Sequence, residues 1–261
     1  MPSAYQLADG LDRRRGPRVT KLAQLKLYAT RPHPCSYLDD QEATTVFIDP
    51  NATIDASLYS ELSAYGFRRS GSHVYRPHCE QCQACIPIRV SADSFTPNRS
   101  QRRCLKLNAD LVVSEHESID NEECFSLYER YINERHSDGD MYPADKTQYR
   151  DFLTSEWGIT RFLLFRDPQQ SLLAVAVVDR LENGLSAVYT FFDPDAEKRS
   201  LGRFAILYQL EQAKQQHLPY LYLGYWIRAC TKMNYKTDYQ PYQMLINQNW
   251  VSIDVSSVMK R

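Results

Sequence analysis

Residues 172–192 read LLAVAVVDRLENGLSAVYTFF. The apolar run 172–178 is too short to span a membrane and suits a buried strand. Glu182-Asn183-Gly184 then breaks the run before a second one at 185–191. Asn and Gly tolerate the positive φ of tight two-residue turns, so the break reads as a hairpin. A third strand-like run, 160–165, precedes the pair. Behind it follow a polar segment, 193–202, and a helical stretch, 203–216, with Ile206, Leu207, Leu210 and Ala213 on its inner face. Another buried strand is expected at 219–224.

Hairpin, loop, helix and strand in this order predict an α+β class, acetyltransferase-like (GNAT-like), with a mixed central sheet. In such a fold the N–H groups opening the main helix bind a phosphate or a carbonyl oxygen. The usual fingerprint resembles Arg/Gln-x-x-Gly-x-Gly/Ala. Here Arg199 and Gly202 fit, but Phe204 stands where the second small residue belongs. That departure disfavours a coenzyme A pyrophosphate site and points to a different acyl donor.

Upstream, Ile54, Leu58, Leu62 and Tyr65 recur at helical spacing and Gly66 supplies a stop. Short strands are expected at 73–76 and 86–90. Between them lies HCEQCQAC, residues 78–85. Two Cys-x-x-Cys steps let Cys79, Cys82 and Cys85 aim thiolates at one point, with Cys35 as the natural fourth ligand of a zinc ion or iron–sulfur cluster. Reduced, packed, metal-free thiols are the alternative. Cys104, Cys124 and Cys230 lack ligand spacing and read as core. The expected organisation is a small N-terminal cysteine-containing domain, 1–107, and a C-terminal acetyltransferase-like domain, 108–261. The second opens on a helix with the capping-box spacing Asp120–Glu123. A loop at 136–143 and a helix at 149–155 precede its strands, and the segment after Trp250 reads as weakly ordered.

A 43% hydrophobic content supplies a core, and no apolar stretch reads as a membrane span or a secretory signal. Seven cysteines, an odd number, fit the reducing cytoplasm better than a disulfide scaffold. A net charge of −1 argues against strong non-specific nucleic-acid binding. The distribution is uneven: bases gather at 13–21, at Arg68, Arg69 and Arg76, and at Arg99, Arg102, Arg103 and Lys106, while acids dominate 115–123.

HPCSYL (33–38), GFRRSGSHVYRP (66–77), HCEQCQACIPIRV (78–90), PNRSQRR (97–103) and LGYWIRACTKMNYK (223–236) occur in this order along the chain. Together they resemble the bacterial aspartate/glutamate leucyltransferases, a branch of the arginyl-tRNA–protein transferase family, over residues 24–247. Eukaryotic members resemble a Cys-Gly-Tyr-Cys pattern near the N-terminus, whereas this chain has Cys35-Ser36-Tyr37-Leu38, so a ligand set like theirs needs Cys79 or Cys82 as replacement.

The resemblance implies transfer of leucine from Leu-tRNA, the co-substrate, to proteins beginning with Asp or Glu. The product carries an N-terminal leucine, an N-degron that marks it for degradation. No cofactor is required for the chemistry, because the donor ester is already activated. The enzyme has to align amine and ester and stabilise an oxyanion. Expected oxyanion donors are the N–H groups around Gly202 or the Tyr189 hydroxyl, and Asp193 is a candidate proton acceptor beside His136 and Glu156. An acidic N-terminal residue calls for Arg68, Arg69 or Arg76. The tRNA acceptor end calls for Tyr225, Trp226, Lys232, Tyr235 and Lys236 with Arg99, Arg102 and Arg103. Tyr189, Phe191 and Met233 are candidate linings of a leucine pocket. The alternatives are arginine as the transferred residue, an acetyl-CoA-dependent N-acetyltransferase, and a zinc-ribbon nucleic-acid-binding protein.

Overall fold

The computed structural model describes residues 20–253, so the basic stretch at 13–19 and the tail beyond 253 lie outside the described residues. A four-stranded sheet is built from β1 (Leu27–Ala29), β4 (Thr45–Ile48), β5 (Arg68–Ser70) and β6 (His73–Pro77) in the order β1-β4-β6-β5. β2 (His33–Pro34) and β3 (Glu42–Ala43) form a two-stranded ribbon beside it. Helix α1 (Ala56–Ala64) starts at the N-cap Asp55, whose carboxylate accepts from the Leu58 N–H.

The second sheet has eight strands in the order β14-β13-β7-β12-β11-β10-β9-β8. Their ranges are β7 (Ile86–Ser91), β8 (Val112–His116), β9 (Thr160–Arg166), β10 (Leu172–Leu181), β11 (Gly184–Phe192), β12 (Tyr220–Trp226), β13 (Tyr242–Ile246) and β14 (Asn249–Ser252). The expected hairpin is present, with β10 buried along nearly its whole length and joined to β11 through Glu182 and Asn183. Two expectations change. The strand at 86–90, assigned to the N-terminal unit, instead lies between β12 and β13 of the large sheet, where Val90 and Ile88 are buried. The stretch after Trp250, expected to be loose, pairs through Val251 and Ser252 with Met244 and Gln243.

Helices α2 (Arg99–Leu107), α3 (Glu122–Arg135), α4 (Lys146–Leu153), α5 (Leu201–Gln215) and the single turn α6 (Thr231–Asn234) cover the sheet. The N-cap of α3 is Asn121, which accepts from the Cys124 N–H. Asp120, one residue further upstream, instead forms an exposed ion pair with Arg150. Phe204, the bulky departure from the acetyltransferase fingerprint, faces the core and meets Phe165 edge-on at 5.6 Å.

Among the described strands only β11 and β12 run parallel, and they pair over just three residues, Gly184–Ser186 against Tyr220–Tyr222. Beyond Ser186 both strands are irregular. The β10–β11 register jumps from Val177↔Tyr189 to Val178↔Ala187, leaving Val188 as an extra residue, and the β12–β7 register shifts between Tyr222 and Tyr225. Gly224 sits in that shift at φ +79°, a conformation that favours glycine. Bulges in both strands bend them apart and open a fork in the sheet.

Arg69 locks the two sheets together. Its side chain and that of Asp179 are both fully buried, with Nε–Oδ2 at 2.6 Å and Nη2–Oδ1 at 2.8 Å. The remaining donors go to the carbonyls of Gly71, Leu153 and Thr154 and to Thr160 Oγ1, which itself donates to Asp179. Gly71 is obligatory beside this network, because a Cβ there would lie 1.8 Å from the Asp151 carbonyl oxygen. Breaking a buried pair strands a charge, whereas replacing both partners removes it. Arg69→Met is expected to cost about 3–5 kcal/mol and the double variant Arg69→Met/Asp179→Leu considerably less, checked by urea denaturation.

Candidate active site

Successive residues of a strand point to opposite faces. With Arg69 turned to Asp179, Arg68 is directed across β5 into the fork. Its Nη1 donates to Ser186 Oγ at 2.7 Å and its Nη2 to the Ala187 carbonyl at 2.6 Å, the acceptor freed where β11 leaves β12. Gly224 of the other branch lies beside Arg68, where a Cβ would be in ordinary contact with the Nε at 3.5 Å, so its positive φ rather than space is what favours glycine. Among the described residues no carboxylate lies within ion-pair distance of Arg68.

Lys236 reaches the same region from a 3-10 turn after α6. It is 6% exposed, and its Nζ donates to the Tyr225 carbonyl at 2.5 Å, with Met233 Sδ at 3.3 Å. Burial, then the like charge of Arg68, lower its pKa to about 7 against weaker opposing pulls from Cys230 and Cys85. The fork therefore holds two cations with no acid among the described residues to neutralise them.

An aromatic wall lies on the α3 side of β11. Tyr189 packs edge-on against Phe152 at 5.1 Å and Tyr131 at 6.3 Å, and Tyr131 lies 4.8 Å from both Phe192 and His136. Burial raises the pKa of Tyr189, keeping its hydroxyl a proton donor. Gly202, in the first turn of α5, packs near Phe192, and the N–H groups of that turn lie outside the helix ladder. Phe191 is fully buried and is core.

Other expected site residues are placed differently. Arg69 is consumed by Asp179. Tyr225 is 3% exposed and donates its hydroxyl to the Gly66 carbonyl, so it is no open stacking platform. Lys232 is exposed but pairs with Asp138 at 3.0 Å, and Trp226 donates to the Asn234 carbonyl. Tyr235 is 41% exposed. Asp193 is held by Arg130 at 3.1 Å and accepts from the Asp195 N–H, which opposes a role as proton acceptor. Arg99, Arg102 and Arg103 are exposed on α2, which meets α5 where Arg203 donates to Ser100. Lys236, expected as a surface base, is the one whose burial sequence spacing did not signal. Arg130, which neutralises Asp193 and Asp195, was not singled out, and its i,i+4 partner Glu134 marks only an ordinary helix surface.

Cys35, Cys79, Cys82 and Cys85 ring a cleft of about 430 Å³ together with Tyr37, Tyr65, Arg76 and Tyr225. Burial and the neighbouring sulfurs push the Cys85 thiol up to about 12, and the Cys79 thiol donates to the Thr44 carbonyl at 3.8 Å. Among the described residues no group of three His, Cys, Asp or Glu side chains is disposed to hold a metal ion. The cysteines share a cleft without converging on a point. No helix among the described residues is long and apolar enough to cross a membrane.

Two family models match: that of the arginine-tRNA-protein transferase N terminus covers residues 33–103 and that of its C terminus residues 123–246. The chain is 97% identical over 243 residues to the aspartate/glutamate leucyltransferase of Teredinibacter turnerae, covering 93% of this chain and 100% of that protein. It is 58% identical over 234 residues to the aspartate/glutamate leucyltransferase of Saccharophagus degradans, covering 90% of this chain and 99% of that protein. Among solved structures it is similar to L-PGS from Bacillus licheniformis at a TM-score of 0.43 and 11% identity, over 56% of this chain and 48% of that one.

The buried ammonium of Lys236 has a measurable signature. Its folded pKa of about 7 lies below the unfolded value near 10.4, so the unfolded chain binds more protons between those limits. The stability contributed by this group therefore rises with pH from about 7 to about 10.4 and is absent below. Lys236→Met is expected to raise the melting temperature relative to the parent at pH 6.5, with the gain shrinking towards pH 10, checked by thermal denaturation at both values.

Proposed function

The chain belongs to the arginine-tRNA–protein transferase family, and from that premise we propose that it transfers leucine from Leu-tRNA to the α-amine of proteins beginning with Asp or Glu. The fork carries the reading. Half-buried Arg68 and buried Lys236 stand at the opening between β11 and β12, with no carboxylate paired to either among the described residues. An acidic side chain supplies the charge that Arg68 lacks, and Arg68 keeps donors free for it, while Lys236 serves in its neutral form.

The aromatic wall supports leucine as the transferred residue. Asp193 and Asp195 are the nearby acids of the β11 end, and Arg130 holds both, so the wall offers apolar surface rather than an anion for arginine. In the reaction the neutral amine attacks the ester carbonyl, a C–N bond forms, the C–O bond to the ribose breaks and one amine proton passes to the ribose oxygen. The Tyr189 hydroxyl and the N–H groups around Gly202 are the proposed oxyanion donors. Lys236, with a pKa near the working range, is a better proton acceptor than the neutralised Asp193. The exposed Arg99, Arg102 and Arg103 beside α5 form the proposed face for tRNA phosphates.

Residues 108–261 are read as an acetyltransferase-like unit, supported by the hairpin, the splayed strands and the helix between them. Residues 1–107 are read as a unit that completes it by lending β7 to its sheet. A zinc or iron–sulfur group has no part in the steps above. The cysteine content fits a cytoplasmic setting.

The test is incorporation of labelled leucine or arginine from charged tRNA into peptides beginning with Asp, Glu, Asn or Ala. Leucine entering only the Asp and Glu peptides is expected. Arg68→Gln should lower kcat/KM for the acidic peptides about 10–100-fold, the loss of one charge-assisted contact, and narrow their advantage over the Asn peptide. Arginine incorporation, or an unchanged preference in Arg68→Gln, would overturn the assignment.

A further inference from the structure

The cysteine-ringed cleft takes no part in the chemistry above, yet its lining is not that of inert packing. Its volume of about 430 Å³ lies within the roughly 300–1,000 Å³ of small-ligand sites. Tyr37 and Tyr65 line it with 40% and 44% of their surface exposed. The Arg76 guanidinium lies 5.1 Å from the centre of the Phe67 ring and donates to the Tyr65 carbonyl at 3.4 Å. Among the described residues it has no carboxylate within ion-pair distance. Glu42, Asn247 and Gln248 add a carboxylate and two amides to the lining. Asn247 and Gln248 form the two-residue turn between β13 and β14 at φ +49° and +63°, which fixes that side of the cleft.

Exposed aromatic faces, an unpaired guanidinium and hydrogen-bonding edges are the three things an unpaired nucleotide needs, for base, phosphate and base edge in turn. An apolar ligand would leave Glu42 and the amides without partners. We propose that this cleft holds the terminal unpaired nucleotides of an RNA acceptor end, with a base on Tyr65 and a phosphate on Arg76. Glu42, an acceptor, favours bases that carry an exocyclic amine. Tyr225 ties the cleft to the fork: it is one of the lining residues of the cleft, and its carbonyl holds Lys236 Nζ at 2.5 Å. An ester on a ribose seated in the cleft is thus separated from the fork by a single residue of β12. The identity of the RNA rests on the proposed donor; the site itself rests on the lining.

The experiment measures binding of the trinucleotides CCA and UUU to the full chain by calorimetry at several salt concentrations. CCA is expected to bind at least tenfold more tightly than UUU. Tyr65→Ala and Arg76→Gln should each weaken CCA about tenfold, whereas Tyr65→Phe retains binding. Arg76→Gln should also reduce the slope of log K against log salt by about 0.7, the loss of one phosphate contact on a single strand. Glu42→Gln should narrow the preference for CCA. All three side chains are partly exposed, and unchanged melting temperatures confirm intact folds. CCA affinity unaltered in Tyr65→Ala and Arg76→Gln, or equal affinity for CCA and UUU, overturns the proposal. Cleft-dependent CCA binding without leucine transfer would sustain the cleft and remove the donor reading. Leucine transfer with CCA binding indifferent to these variants would do the reverse.

Discussion

Arg69 and Asp179 form a fully buried ion pair between a three-residue strand of the small sheet and the longest interior strand of the large one. Two charges withdrawn from water are costly, and the pair persists because every donor on the guanidinium has an acceptor. Its consequence is geometric. Once Arg69 is committed to β10, strand alternation sends Arg68 to β11, into the fork. The lining of the fork is therefore set by a contact that lies outside it.

The fork itself arises from two small irregularities that face each other. An extra residue at Val188 and a positive-φ glycine at 224 end a parallel ladder after three pairs. The unpaired Ala187 carbonyl would be costly in a sheet interior, and Arg68 satisfies it. A guanidinium thus caps the end of the parallel ladder. Lys236 on the far side meets the same field, and its ammonium is depressed both by burial and by Arg68.

Much of this was legible in the order of residues. The hairpin at 182–184, the helix after Gly202 and the strand near 220 all stand where periodicity and turn chemistry put them. Among candidate site residues, Tyr189 joins the aromatic wall beside Tyr131, Gly202 lies near Phe192, and Arg68 reaches Ser186 and Ala187 of the same strand. Arg69 looked equivalent to Arg68 because adjacent arginines carry no mark of which face each will take. Asp179 follows the apolar run 172–178 with nothing in the sequence to mark its partner, and Asp193, a candidate proton acceptor by position, is held by Arg130 from 63 residues away. The cysteine spacing suggested a shared metal point, but proximity in sequence brought the thiols to one cleft without making them converge.

The sequence by itself determined the class of fold, the family and the order of the central elements, because those signals reside in contiguous residues: a period, a turn pair, a run of motifs. Tertiary structure alone decided which arginine is structural and which faces the fork, that residues 86–91 join the large sheet, and that Lys236 is buried. Each of those outcomes depends on groups far apart in the chain, such as Arg69 and Asp179 at a separation of 110 residues. Charge, burial and partnership are properties of a neighbourhood, and the neighbourhood exists only after the chain has folded.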